Sequence, residues 1–161
     1  MLSRLKEIWK KIMSPKAVTA RAADGARGEQ AAADFLKARH GFKVVVRNWR
    51  SPRDLRDEID LVCLDGEILV FVEVKARAEG ALVSGFLAVD ERKKRALRRA
   101  VHSYLSKLEH PPRTFRFDVA EVTLSGRLPP QVLHFENVPL FPKGYHVARQ
   151  SGSLDEVSGG A

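Results

Sequence analysis

The stretch that decides the fold runs from Glu58 to Arg77 and reads EIDLVCLDGEILVFVEVKAR. It consists of two short apolar runs joined by Asp65-Gly66, a dipeptide typical of tight turns between antiparallel strands. The pattern therefore predicts a β-hairpin with strands over Glu58–Leu64 and Glu67–Ala76. Each strand also carries charged side chains that a buried strand should avoid.

These charges lie toward the strand ends away from the turn. Side chains alternate across a strand, so Glu73 and Lys75 share one face, as Glu58 and Asp60 do on the other strand. If residues equidistant from the turn pair, Asp60 lies near residue 71, Glu58 lies near residue 73, and Asp60 is a diagonal neighbour of Glu73. Two carboxylates this close repel unless a proton or cation intervenes, and a hard divalent cation such as Mg²⁺ would resolve the conflict. Cross-strand ion pairs are the alternative, and the spacing favours neither.

The remaining segments predict the architecture. Helical patterns cover residues 17–40, closed by Gly41, and about 91–109, where Asp90 is the expected N-cap. Strand patterns cover 42–49, 115–123 and about 132–137. The order helix, three strands, helix, two strands indicates an α/β domain with a mixed central β-sheet flanked by helices.

Two helical residues bear on the charged ends of the hairpin. Glu29 falls on the apolar stripe of the first helix, with Ala22, Ala26, Ala33 and Leu36, and a carboxylate facing the sheet needs a partner. Lys93 lies four residues before Leu97, at the sheet-facing end of the second helix. The alternative for each is a rim residue whose stem reaches solvent.

The charge distribution favours a polyanionic partner. The 161-residue chain carries a net charge of +8. Six of the eight residues from Arg92 to Arg99 are basic, and Arg92, Arg95 and Arg99 form one stripe. With no acid interleaved, this face suits contacts with phosphate groups, although a solvated helix surface is the alternative.

Composition also indicates the cellular compartment and the division of the chain into domains. The single cysteine, Cys63, permits no intramolecular disulfide, which suits a reducing cytoplasm, and its apolar surroundings indicate a buried hydrophobe. No transmembrane or secretory segment is expected. We expect a basic amphipathic extension over residues 1–16, one domain over 17–148, and a disordered tail over 149–161.

Together the blocks GEQAAADFL, RNWR, EIDLVCLDGEILVFVEVKAR, the lysine of ERKKRA and RFDVAEV resemble the YraN-like family of small, uncharacterised bacterial proteins. That family is similar to the restriction-endonuclease-like superfamily, which includes Holliday-junction resolvases. The signature, an acidic residue followed after a gap by Glu-x-Lys, is matched by Asp60 and by Glu73-Val74-Lys75. Asp57 stands where the family usually has glycine.

The resemblance implies a restriction-endonuclease-like core that hydrolyses phosphodiester bonds with Mg²⁺ or Mn²⁺. Asp60, Glu73 and the Val74 carbonyl would hold the metal, and Lys75 would position or activate water. Glu29 would complete the site, while Glu58 would support it as a neighbouring carboxylate. The second helix, through Arg92, Lys93, Arg95 and Arg99, would hold the nucleic-acid backbone.

The leading hypothesis is therefore a Mg²⁺-dependent nuclease acting on DNA, with branched or structured DNA as one possible substrate, and a homodimer is left open. The second hypothesis is a nucleic-acid-binding module that kept the fold without cutting. A weaker third is a membrane-surface or partner-docked protein anchored by residues 2–13.

Overall fold

The computed structural model describes residues 15–80, 90–112, 114–141 and 145. Its elements, in chain order, are α1 (Pro15–His40), β1 (Lys43–Arg50), β2 (Glu58–Asp65), β3 (Ile68–Ala78), α2 (Glu91–Leu105), β4 (Phe115–Leu124) and β5 (Gln131–Phe135). The predicted order of elements is confirmed. No helix among the described residues is long and apolar enough to span a membrane.

The ends of the helices follow local chemistry. The Asp90 side chain accepts a hydrogen bond from the Lys93 backbone N–H at 2.7 Å, as expected of an N-cap. Helix α2 ends at Leu105, earlier than the predicted residue 109, with Ser106 as its C-cap. Helix α1 begins at Pro15, two residues before the predicted start at residue 17. Proline is tolerated there because the first N–H groups of a helix have no partner within it.

Two predicted segments fall largely outside the described residues. They are the amphipathic stretch within residues 1–16 and the tail over residues 149–161.

The five strands form one mixed sheet in the order β1-β2-β3-β4-β5. Strands β3 and β4 are parallel, and every other neighbouring pair is antiparallel. The parallel pair requires a long crossover, and α2 lies within it. The result is an α/β fold consistent with a restriction-endonuclease-like core.

Each face of the sheet is covered by one helix. Helix α2 buries Leu97, Val101 and Leu105 against one face. Helix α1 buries Ala33 and Leu36 against the other, where Cys63 also lies. Burial raises the pKa of the Cys63 thiol to about 11, so it behaves as the predicted buried hydrophobe.

The predicted pairing of the hairpin is wrong by two residues. Asp65 pairs with Ile68 and Leu61 pairs with Val72, so the turn consists of Gly66 and Glu67. Asp65 is thus the last strand residue, while Gly66 adopts a positive φ of 58°. Extending this register sets Asp60 directly beside Glu73 rather than near residue 71.

Helix α1 packs tightly against β3 at Gly28. A Cβ atom at this position would lie 2.7 Å from the Cβ of Ala76. Only glycine permits so short an approach, because any side chain would push the helix from the strand. The contact fixes the height of the next residue, Glu29, above the strands that carry Asp60 and Glu73.

Candidate active site

The site begins where β2 and β3 separate. The last pair in their ladder is Leu61 with Val72. Beyond it, Oδ2 of Asp60 accepts a hydrogen bond from the backbone N–H of Val74 at 2.7 Å. The Asp60 carboxylate thus accepts the hydrogen bond that a backbone carbonyl of β2 would accept in a continuous ladder. The N–H and C=O of a strand residue point toward the same neighbour, so the Val74 carbonyl is expected to face Asp60 as well.

Glu73 is the most buried acid of the site, with 2% of its side chain exposed. Its Oε1 lies 2.7 Å from Nζ of Lys75 and 3.0 Å from Nζ of Lys93. Its Oε2 is buried and has no hydrogen-bond partner among the described residues. An orphaned buried carboxylate oxygen is a strong acceptor, so the donor set fits a hard divalent cation.

The protonation of Asp60 reflects its crowded surroundings. Burial first, and then repulsion from Glu73, raise the pKa of Asp60 to about 7, although the Val74 N–H and Lys93 oppose the shift. Glu29 raises it further, which places this α1 carboxylate within electrostatic reach. Acids from three elements therefore lie within electrostatic range of Asp60, although the carboxylate oxygens of Glu29, Asp60 and Glu73 do not all lie within 4.8 Å of one another.

Lys93 joins the same site from α2. Burial lowers the pKa of Lys93, but the charge and hydrogen bond of Glu73, helped by Asp60 and Glu58, more than offset this and raise it. The ammonium therefore stays charged at neutral pH. Sequence patterning placed Lys93 at the sheet-facing end of the helix, and the structure sets it on the same oxygen as Lys75.

The apolar stripe assigned to α1 holds for only part of the helix. Ala33 and Leu36 are buried, but Ala22 and Ala26 are exposed. Glu29 is partly buried at the boundary. It is a residue at the edge of the core rather than one within it.

Glu58 lies beside the site in an ion pair across the sheet. Its Oε2 is 2.8 Å from Nη2 of Arg50, the residue opposite it on β1. A cross-strand ion pair, which sequence patterning offered as an alternative, therefore exists at Glu58, but with Arg50 rather than Lys75, whose partner is Glu73.

The net positive charge around helix α2 is smaller than the sequence of the helix indicated. No acid is interleaved among its six cations in the sequence, but three acids near in space pair with four of them. Lys93 contacts Glu73, Lys94 and Arg98 contact Glu91, and Arg99 contacts Asp57. Arg92 and Arg95 are exposed and form no ion pair within the described residues.

Asp57, which the resemblance places where a glycine is usual, has a structural partner on α2. This buried residue accepts two hydrogen bonds from Arg99, at 2.7 and 2.9 Å. The pair ties the loop before β2 to α2. Arg99 therefore has a structural partner in addition to any contact with a phosphate.

A groove that sequence patterning missed runs beside Lys75 and Val74. It encloses about 750 Å³ between the N-terminal half of α1, the end of β3 and the loop after β4. Its basic lining residues are Arg21, Arg27, Lys75 and Arg77. These residues are scattered in the sequence, and only the approach of α1 to β3 brings them together.

Comparison with known proteins gives a consistent family assignment. The model of the uncharacterised protein family UPF0102 matches residues 28–122. A UPF0102 protein of Geobacter metallireducens is 39% identical over 113 residues, covering 70% of this chain and 88% of that protein. A relative in Symbiobacterium thermophilum is 45% identical over 98 residues, covering 61% and 80%. The resemblance inferred from the sequence motifs is confirmed.

Proposed function

The chain belongs to the uncharacterised protein family UPF0102, and we propose that it is a metal-dependent nuclease that hydrolyses phosphodiester bonds in DNA. The observation that carries the proposal is the Glu73 carboxylate, buried next to Asp60 with Oε2 unpartnered. Buried acids are normally neutralised and fully hydrogen-bonded. A buried carboxylate with one oxygen unpartnered, at the point where two strands separate, therefore favours a bound ligand.

The metal, Mg²⁺ or Mn²⁺, would be held by Asp60, Glu73 and the Val74 carbonyl, with Glu29 completing the acidic set. Bound there, it would stabilise charge on the scissile phosphate and lower the pKa of a coordinated water. The residues of the chain supply the rest. Lys75 places a positive charge beside the acids, where the transition state becomes more negative. Lys93 neutralises the same Glu73 oxygen and limits repulsion between the acids.

The substrate class is proposed from the surroundings of the site. The groove beside Lys75 is lined by Arg21, Arg27 and Arg77, and by Asp24, which lies 3.6 Å from Arg27. Arg92 and Arg95 add exposed positive charge on α2. Such guanidinium groups suit phosphate contacts that hold a nucleic-acid backbone without reading its sequence. Branched or structured DNA remains one proposed substrate form.

The test is a cleavage assay on plasmid, single-stranded and four-way-junction DNA with Mg²⁺ or Mn²⁺. Asp60→Asn and Lys75→Ala should each lower the rate at least about 100-fold. Asp65→Asn is the matched control, because it makes the same change on the same strand at its opposite end, and it should cut like wild type.

If wild type cuts none of the substrates, or if Asp60→Asn cuts as fast as Asp65→Asn, the nuclease proposal is wrong. DNA binding that persists without cleavage would favour the alternative, a non-catalytic nucleic-acid-binding module on the same fold. A band-shift titration on the same substrates separates these outcomes.

A further inference from the structure

A second group of ligand atoms lies away from the candidate active site, where the end of α1 meets β5. It consists of His40, the last residue of α1, His134 on β5 and Glu136 just after β5. One ligand atom from each lies within 4.8 Å of the others. Among the residues that the structure describes, it is the one such group of three His, Cys, Asp or Glu ligands.

His134 is held in place through its Nε2 atom. Its Nε2 lies 2.9 Å from Oδ2 of Asp118, which is completely buried. Asp118 also accepts hydrogen bonds from Nε of Arg116 and from the backbone N–H of Asn137. A neutral imidazole that donates from Nε2 to a carboxylate has a lone pair on Nδ1. This is the arrangement that holds histidine ligands in metal sites.

Nδ1 of His134 faces the group and has no hydrogen-bond partner within the described residues. The side chain is 3% exposed, and its Nδ1 is buried. The nearest carboxylate atom, Oε1 of Glu136, is 3.8 Å away, and it lies 3.9 Å from Nδ1 of His40. Both distances are too long for hydrogen bonds.

A tetrahedral ion fits the space with small side-chain rotations. Ligand atoms with bonds of about 2.0 Å to such an ion lie about 3.3 Å apart. The two separations from Glu136, 3.8 and 3.9 Å, therefore need to shorten by about 0.5 Å, and the two imidazole nitrogens, which lie within 4.8 Å of each other, by up to about 1.5 Å. His40 and Glu136 are 33% and 52% exposed, so both can rotate toward the fixed His134.

The local charge also favours a cation. Arg116 is positive, but Asp65 and Asp118 bind it directly. Glu136, at 4.0 Å from Arg116, then adds a further negative charge beside the two imidazoles. His40 also ends α1, and the C-terminus of a helix carries partial negative charge. Two imidazole nitrogens with one carboxylate oxygen suit Zn²⁺ better than Mg²⁺.

We propose that His40, His134 and Glu136 form a second metal site, which binds one Zn²⁺ and joins the C-terminal end of α1 to the edge strand β5. The fourth position would be taken by water or by a ligand from outside these residues. The site is independent of the proposed nuclease chemistry and shares none of its residues.

The test is isothermal titration of chelator-treated full-length protein with ZnCl₂ in excess Mg²⁺, which competes for the oxygen ligands of the other site. Wild type should bind one tight Zn²⁺, and His40→Ala should weaken that binding at least about tenfold. His110→Ala, an exposed histidine outside the group, and Asp60→Asn should bind like wild type. Substituting Co²⁺ should give the visible absorption of a tetrahedral site, which His40→Ala removes.

Thermal unfolding supplies an independent measurement. Zn²⁺ should raise the Tm of wild type and of His110→Ala, but not of His40→Ala, because binding only to the folded state stabilises it. If wild type binds no Zn²⁺, or if His40→Ala retains its affinity and Tm shift, the second site does not exist. In that case His134 is part of a purely structural network with Asp118.

Discussion

The sheet carries two clusters of ionisable side chains that balance charge in different ways. Where β2 and β3 separate, Glu73 is neutralised by two lysines that are 25% and 30% exposed. Near the end of α1, the buried acid Asp118 is held by a guanidinium, an imidazole and a backbone N–H. Long, partly exposed lysines can move aside for a ligand, whereas the Asp118 network is fixed in place.

The difference indicates two kinds of site. At the first, the acids lie close together and are balanced by partly exposed lysines, which suits a cation and a phosphate that bind and dissociate. The second satisfies its buried acid completely and leaves a nitrogen lone pair unpartnered, which suits one resident ion. Helix α1 carries Glu29 toward the first and His40 toward the second. The two residues are separated by eleven positions in the sequence, or about 16 Å along a helix.

The largest expected effect on stability is at the fixed network. Asp118→Asn should lower the free energy of unfolding by about 3–5 kcal/mol, because Arg116 and His134 lose a buried acceptor. Asp65→Asn removes a more exposed partner of the same Arg116 and should cost less than about 1 kcal/mol. Urea unfolding of both variants measures the difference. Equal losses would show that the network is no more rigid than a surface ion pair.

The next effect comes from the crowded acids and depends on pH. The pKa of Asp60 is raised from 3.8 to about 7 in the folded state, so between these values the folded chain binds more protons than the unfolded one. The contribution of Asp60 to the free energy of unfolding therefore falls as pH rises from about 4 to about 7.

Asp60→Asn removes this dependence, since asparagine does not ionise and its carbonyl can still accept from Val74. At pH 8 the variant should be more stable than wild type by on the order of 2 kcal/mol, allowing for partial solvent exposure. Near pH 4 the two should be similar. Urea unfolding at both pH values measures the difference, and adding Mg²⁺ at pH 8 should narrow it. Parallel pH profiles for the two proteins would contradict the assigned repulsion.

The third prediction uses the helix that connects the two clusters. Gly28→Ala places a Cβ atom 2.7 Å from Ala76 and should cost about 1–3 kcal/mol by forcing α1 from β3. Gly25→Ala is the matched control, because nothing lies within 4 Å of its Cβ, and it should stabilise the helix by about 0.5–1 kcal/mol. Chemical denaturation measures both changes.

The same pair of variants separates the two clusters functionally. Gly28→Ala should slow DNA cleavage, because Glu29 follows the displaced glycine, while Zn²⁺ binding at His40 should persist. If Gly28→Ala loses both DNA cleavage and Zn²⁺ binding, the two clusters are coupled through α1. If it retains both, the close contact at Gly28 does not position Glu29.

The elements and most of the first cluster could be predicted because their signals are local. Strand alternation brought Glu73 and Lys75 to one face, and the N-cap of Asp90 fixed the start of α2. The pairing of Asp60 could not be predicted correctly, since an Asp-Gly dipeptide does not specify whether the aspartate belongs to the strand or to the turn. The two choices differ by two residues in register.

The second cluster left almost no signal in the sequence. His40, Asp118 and His134 lie on three separate elements, and only the packing of α1 against β4 and β5 brings them together. Two of the ion pairs of α2 were missed for the same reason, because Asp57 and Glu73 are remote from Arg99 and Lys93 in the sequence, whereas Glu91, which pairs with Lys94 and Arg98, directly precedes the basic run. Counting basic residues along the sequence overestimates the local positive potential wherever acids from other elements pair with them in the fold.

That correction leads to the smallest predicted effect, on DNA affinity. Arg92 and Arg95 form no ion pair within the described residues, whereas Lys94 and Arg98 contact Glu91. The pair Arg92→Ala/Arg95→Ala should reduce the slope of log affinity against log salt by about 2, since each free phosphate contact contributes about 0.9.

The matched control, Lys94→Ala/Arg98→Ala, removes the same formal charge from the same helix. It should change the slope by less, because Glu91 already neutralises these groups and replaces counterions that a phosphate contact would release. Fluorescence anisotropy with one DNA at several salt concentrations measures both slopes. Equal changes would mean that bound DNA displaces Glu91 and that all the cations of this face act alike. A change confined to Arg92 and Arg95 would mean that acids within the fold select which cations reach the phosphates.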